Sequence, residues 1–177
     1  MTANGLFDGI IVKPNLVVFD LDCTLWPFDC DIYDRQVFHK KGGVIYDEDG
    51  SPLDVIEDSD YILKAIKNEK DILLACASRT SSVETARQLV HLNGWDNLFD
   101  YMEIYPRSKV VHFQALHQKT NIAYNQMIFF DDLQWNISEV KNMGVHSYLV
   151  PNGVHTGVFR KAIREYDKFW SRKNNPY

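Results

Sequence analysis

Asp20 and Asp22 stand two residues apart at the end of the apolar run Leu16-Val17-Val18-Phe19, in the string Asp20-Leu21-Asp22-Cys23-Thr24. On an extended chain, residues two apart point the same way. The chemistry that uses such a pair is phosphoryl transfer. Phosphate monoesters hydrolyse extremely slowly unaided, and splitting the reaction into two displacements lowers the barrier. Asp20 is read as the nucleophile that forms an aspartyl-phosphate. Asp22 is read as the group that protonates the departing alkoxide and later takes a proton from the hydrolytic water. Carboxylates about 5 Å apart repel by roughly 3 kcal/mol at an effective dielectric near 20, so the pair implies a divalent cation. Oxygen donors of this kind suit Mg²⁺.

Three further stretches supply the remaining chemistry. Asp71-Ile72-Leu73-Leu74-Ala75-Cys76-Ala77 reads as a second buried strand and ends at Ser78-Arg79-Thr80, a hydroxyl beside a guanidinium. Lys109 opens a helical pattern after Pro106-Arg107-Ser108. Met127-Ile128-Phe129-Phe130 is another apolar strand, closed by the acidic pair Asp131-Asp132. Short apolar runs of this length suit strands covered on both faces. Open parallel sheets bind ligands beyond the carboxyl ends of their strands.

This ordered set resembles the haloacid dehalogenase (HAD) superfamily of phosphatases, from about Asn15 to Val150. The resemblance implies Asp20 as nucleophile and Asp22 as general acid/base. It implies that Ser78 holds a phosphoryl oxygen and that Lys109 neutralises the nucleophile and the phosphate. It also implies Mg²⁺ held by Asp20, by Asp131 with Asp132 beside it, and by the backbone carbonyl of Asp22. Within the superfamily, Asp20-Leu21-Asp22-Cys23-Thr24-Leu25-Trp26-Pro27, Ala77-Ser78-Arg79-Thr80 and Phe129-Phe130-Asp131-Asp132 with Asn136-Ile137 resemble the magnesium-dependent phosphatases of the acid-phosphatase type, also described as fructosamine-6-phosphatases. In that group Arg79 is expected to help hold the phosphate or the substrate. The sequence departs from the pattern after the acidic pair, where Leu133 stands in place of an expected acidic residue.

The elements that must carry these residues alternate. Helical spacing is found at 81–90, where Val83, Ala86, Leu89 and Val90 form one face before an Asn93-Gly94 stop, and at Lys109–Thr120 with Val110, Phe113 and Leu116. Further helices are read at Asn136–Asn142 and at Gly157–Arg172, the latter burying Val158, Ala162, Ile163 and Tyr166. Tyr101–Tyr105 and Val145–Val150 read as strands. Such alternation predicts an α/β fold with a central parallel sheet. The resemblance makes it a HAD-like Rossmannoid three-layer sandwich over residues 1–177. It puts the first strand in the centre, the 127–130 strand beside it, and Ser78 on the other side.

One segment breaks the alternation. Gly42 to Leu53 reads as a β-hairpin with an acidic, Gly-containing turn, a flap within roughly 28–57. Only 35 residues separate Thr24 from Asp60 and 30 separate Ser78 from Lys109, so neither interval holds a large cap domain. An open site accommodates phosphate on a protein, including phosphotyrosine, fructosamine 6-phosphate on a glycated protein, or a sugar phosphate. Two alternatives are a phosphatase for phosphoserine or nucleic-acid ends, and a pseudo-phosphatase serving as an interaction module. Trp26, Phe28 and Tyr33 are read either as lining the entrance or as packing beneath the flap.

Composition narrows the classes further. A chain of 177 residues buries about 70% of its unfolded surface without help from disulfides. Its three cysteines, Cys23, Cys30 and Cys76, show no paired spacing and are read as reduced thiols. A cytoplasmic or nuclear location is expected. No apolar run approaches the roughly 18 residues of a membrane span, and a net charge of −5 argues against nucleic acid as partner. The expected partner is a phosphorylated substrate, small molecule or protein, while oligomeric state is left open.

Overall fold

The computed structural model describes residues 5–174; the ends of the expected 1–177 unit lie outside them. In chain order the strands are β1 (Leu16–Phe19), β2 (His39–Lys41), β3 (Val44–Tyr46), β4 (Pro52–Leu53), β5 (Leu73–Ser78), β6 (Tyr101–Ile104), β7 (Met127–Asp131) and β8 (His146–Leu149). The helices are α1 (Ser59–Lys67), α2 (Val83–Leu92), α3 (Lys109–Thr120), α4 (Gln134–Asn142) and α5 (Thr156–Asn174). Five strands form one sheet in the order β6-β5-β1-β7-β8, and every pairing in it is parallel. The chain reverses direction across the sheet at β1, which places that strand's carboxyl end at the topological switch point.

The apolar runs are continuous because both faces of the central strands are covered. Val17, Phe19, Leu74, Cys76, Ile128 and Phe130 belong to one core with Ile62 and Leu63 of α1, Leu89 of α2 and Phe159, Ala162 and Ile163 of α5. Leu16, Val18, Ala75, Ala77, Met127 and Phe129 alternate with them and pack against Phe113 and Leu116 of α3 and Ile137 and Val140 of α4. Two helix layers thus sandwich the sheet, as expected from the sequence. On α5, Phe159 rather than Val158 reaches the centre of its core, and Val158 is half-buried.

The flap is a three-stranded antiparallel sheet in the order β2-β3-β4, one strand more than the hairpin predicted. Gly42 and Gly43, with φ of 59° and 86°, turn β2 into β3, and two consecutive positive φ values are what a tight hairpin needs there. Asp47 closes the second turn by accepting the amides of Asp49 at 3.0 Å and Ser51 at 2.8 Å. Lys40 Nζ donates to the Leu92 carbonyl at the end of α2, at 2.6 Å. Beneath the flap Trp26 is fully buried, with ring centroids 5.7 Å from Phe28 and 6.0 Å from Trp95. Of the two readings of Trp26, packing beneath the flap is the one observed.

Candidate active site

Asp20 lies one residue beyond β1, and its amide donates to the Phe130 carbonyl at 2.9 Å. That bond extends the β1–β7 ladder and brings Asp20 beside Asp131, the last residue of β7. On the other flank β5 delivers Ala77 and Ser78. Lys109 closes the group from the first turn of α3. Its Nζ donates to Asp20 Oδ1 at 2.6 Å, lies 3.2 Å from Asp131 Oδ2 and donates to the Ala77 carbonyl at 2.5 Å. A lysine at a helix N-terminus meets the unfavourable end of the helix dipole, so the two carboxylates are what hold it there.

Electrostatics follow from burial. Asp20 is 6% exposed and Lys109 1%. Loss of water pushes the Asp20 carboxyl well above the usual range, against the pull of Lys109. For Lys109 burial alone favours the neutral amine, but Asp20 and Asp131 outweigh it and hold the ammonium above its ordinary value. Asp132, half-buried beside Asp131, is raised to about 6 by burial and by that neighbour. Among the described residues, the acids of this group outnumber the one buried cation beside them.

That imbalance fits a divalent metal ion. Asp20, Asp131 and Asp132 each place a carboxylate oxygen within 4.8 Å of the others, and an all-oxygen set of this kind matches the preference of Mg²⁺. Asp131 is oriented by Asn136, whose Nδ2 donates to its two oxygens at 3.1 and 3.0 Å, and by the Leu133 amide at 2.8 Å. Asn136 is a positioning residue: the sequence places it in the string that resembles the family but assigns it no role, since its contact depends on where the first turn of α4 falls.

Asp22 is turned differently. Cys23, with a left-handed φ of 53°, reverses the chain so that the amides of Thr24 and Leu25 both donate to the Leu21 carbonyl, at 3.1 and 2.9 Å. Asp22 Oδ1 accepts the Trp26 indole N–H at 2.6 Å and the Cys30 amide at 3.1 Å. Oδ2 touches only the weak Cys30 thiol donor, at 3.3 Å, and is the oxygen left to carry a proton. Burial raises the Asp22 carboxyl, opposed by these hydrogen bonds. Its carboxylate is outside the Asp20-Asp131-Asp132 group, which leaves the backbone carbonyl as the atom that the resemblance gives to the metal.

Ser78 is 1% exposed and its Oγ has no hydrogen-bond partner. Leaving a buried hydroxyl unsatisfied costs about 1–3 kcal/mol, so Ser78 Oγ is suited to donate to an anion bound at the site. Arg79 is exposed and lines the same opening. The cavity measures about 510 Å³, and its lining includes Asp20, Asp22, Lys109 and Arg79 together with Leu133 and Trp135. Thr80 is buried below it, joined with the Ser82 amide to Asp31, which ties the turn at 30–33 to the end of β5.

A switch-point sheet that delivers a nucleophilic acid, a second acid, a hydroxyl, a buried lysine and an acidic pair defines a hydrolase of the HAD type. Residues 12–169 match the family described as Acid Phosphatase, and the chain belongs to that family. It is 39% identical over 156 residues to Magnesium-dependent phosphatase 1 of Homo sapiens, covering 88% of each chain. It is 35% identical over 144 residues to a HAD-like hydrolase superfamily protein of Schizosaccharomyces pombe, covering 75% of this chain and 83% of the relative. Its fold is shared with a haloacid dehalogenase-like hydrolase from Xanthomonas campestris, at a TM-score of 0.67 and 14% identity over 93% of this chain and all of that one.

Proposed function

We propose that this chain is a Mg²⁺-dependent phosphomonoester hydrolase working through a phospho-Asp20 intermediate. The observation that carries the reading is the buried Lys109, which joins Asp20 and Asp131 at the carboxyl edge of the sheet. A lysine there favours the ionised nucleophile, against the effect of its burial, and offsets the charge of an incoming phosphate. Asp20 attacks phosphorus as the ester P–O bond breaks, and Asp22 gives its proton to the leaving oxygen. Water then attacks the acyl phosphate, Asp22 takes the water's proton, and the P–O bond to Asp20 breaks to release orthophosphate. Ser78 Oγ donates to a phosphoryl oxygen, Lys109 neutralises phosphate charge from its place on Asp20, Asp131 and the Ala77 carbonyl, and Arg79 guards the entrance. Asp20, Asp131 and Asp132 would hold Mg²⁺, which when bound supplies positive charge for the phosphoryl group.

The open cavity supports a phosphoprotein, a glycated protein carrying fructosamine 6-phosphate, or a small sugar phosphate as substrate. Asp29 and Asp31 at its mouth, with a net charge of −5, disfavour nucleic-acid ends, whose flanking phosphates would be repelled. An interaction module without activity has no need of the complete set of acids and lysine found here. The test is phosphate release from a generic aryl phosphate with Mg²⁺ present. Asp20→Asn is expected to abolish it and Asp22→Asn to reduce it at least about 100-fold, both with native circular dichroism. Full activity of Asp20→Asn ends the proposal.

A further inference from the structure

Four tryptophans occur in the chain, and one is placed unlike the rest. Trp26 stacks on Phe28 and Trp95, and Trp170 packs against Tyr166 and Phe169. Trp135 stacks on no ring among the described residues and is 69% exposed, in the first turn of α4. Leu133, just before that helix, is 55% exposed. Both line the cavity that holds Asp20 and Lys109. Scattered exposed apolar side chains need no explanation, but two so close in sequence in a site otherwise lined by polar and charged groups do.

We infer that Trp135, with Leu133, is the specificity-determining surface of this site and receives a flat aryl leaving group. The inference rests on the phosphatase reading and deepens it. An indole offers a large rigid face at little entropic cost, and an aromatic ring laid on it gains stacking energy and loses only weakly held water. A sugar on the same wall would give up the hydration of its hydroxyls with nothing in exchange. Of the polar groups that also line the cavity, Asp31 Oδ1 is already engaged by Thr80 Oγ1 at 2.5 Å and the Ser82 amide at 3.0 Å, and Asp29 Oδ1 by the Asp31 amide at 2.9 Å. Leu133 belongs to the same logic, because it stands where the resembled pattern leads one to expect an acid.

The experiment compares phenyl phosphate with glycerol phosphate in Mg²⁺ for the wild type, Trp135→Ala and Trp135→Phe. In Trp135→Ala the ratio of kcat/KM for phenyl over glycerol phosphate is expected to fall about tenfold, the energy of one aromatic contact, with the change in KM for the aryl ester rather than in kcat. Trp135→Phe is expected to keep most of the ratio. A loss of kcat shared equally by both esters makes Trp135 a prop for α4 and overturns the inference, as does an unchanged ratio. Absence of phosphate release from both esters in the wild type is a different result, and it sinks the phosphatase reading itself.

Discussion

Trp26 does two things at once, and its second role makes it testable. Its ring packs under the flap while its Nε1–H donates to Asp22 at 2.6 Å. Removing a hydrogen bond to a charged group costs about 1.5–3 kcal/mol. Trp26→Phe keeps the ring in the stack, so kcat is expected to fall about 10- to 100-fold with KM little changed; a fall in KM and kcat together, or no fall, would show that Asp22 does not depend on the indole. Neither the hydrogen bond nor the Asn136 grip on Asp131 was legible in the sequence, because each is fixed by a local turn. The places of Asp20, Asp22, Ser78 and Asp131 at the ends of apolar runs, and of Lys109 at the head of a helical pattern, were legible in contrast. His112 offers a second test. It is fully buried, its Nε2 faces the Tyr105 carbonyl at 3.1 Å, and Nδ1 has no partner. Burial and the Lys109 charge lower its pKa to about 4, from 6.5. The unfolded chain then binds a proton that the folded chain refuses. Stability from this group is whole above pH 6.5 and is lost as pH falls toward 4, up to about 3 kcal/mol. Urea melts across that range should show the loss in wild type and a flatter profile in His112→Gln.

At the scale of elements, the site depends on how the loops after β1 and β8 meet. Val154 donates its amide to the Thr24 carbonyl at 2.9 Å, and the Ile56 amide and Ser59 hydroxyl both converge on the Leu25 carbonyl at 2.9 Å. Gly153 sits at this junction with φ of 81°, and a Cβ there would lie 1.8 Å from Ile56 Cδ1 and 3.2 Å from the Thr24 carbonyl oxygen. Left-handed backbone costs a non-glycine residue about 1–2 kcal/mol, and overpacking adds about 1–3. Gly153→Ala is expected to lower the melting temperature by roughly 5–15 °C. Gly157→Ala, in α5 with open space around its Cα, is expected to leave it level or slightly higher; equal losses in the two variants would contradict the assignment. The central strands were legible because burial on both faces writes them as unbroken apolar runs. β2 was not, since His39, Lys40 and Lys41 are all exposed. It is held by its pairing with β3 and by Lys40 on α2, and neither leaves a hydrophobic period behind.

Across the whole molecule, two cores share one sheet, and the carboxylates crowd where its central strands end. β1 contributes residues to both cores, so the sheet cannot relax at Asp20 without disturbing the packing of α1 and α5 on one face and of α3 and α4 on the other. The repulsion among Asp20, Asp131 and Asp132 is therefore stored against the fold as a whole, and Lys109 offsets only part of it. A cation bound there should return that energy as global stability. A ligand that binds only the folded chain stabilises it by about 2.7 kcal/mol at one hundred times its dissociation constant. For a chain of this length that corresponds to a rise in melting temperature of about 5–10 °C. Saturating Mg²⁺ is expected to produce such a rise in the wild type, graded with concentration. Asp131→Asn should lose most of the rise while melting no lower than wild type without metal, because removing one acid relieves the same repulsion. Glu57→Gln, exposed and outside the cavity and the acid group, should keep it. A melting temperature indifferent to Mg²⁺ in the wild type would mean that the clustered acids are balanced by protonation, and that the fold derives no stability from the metal.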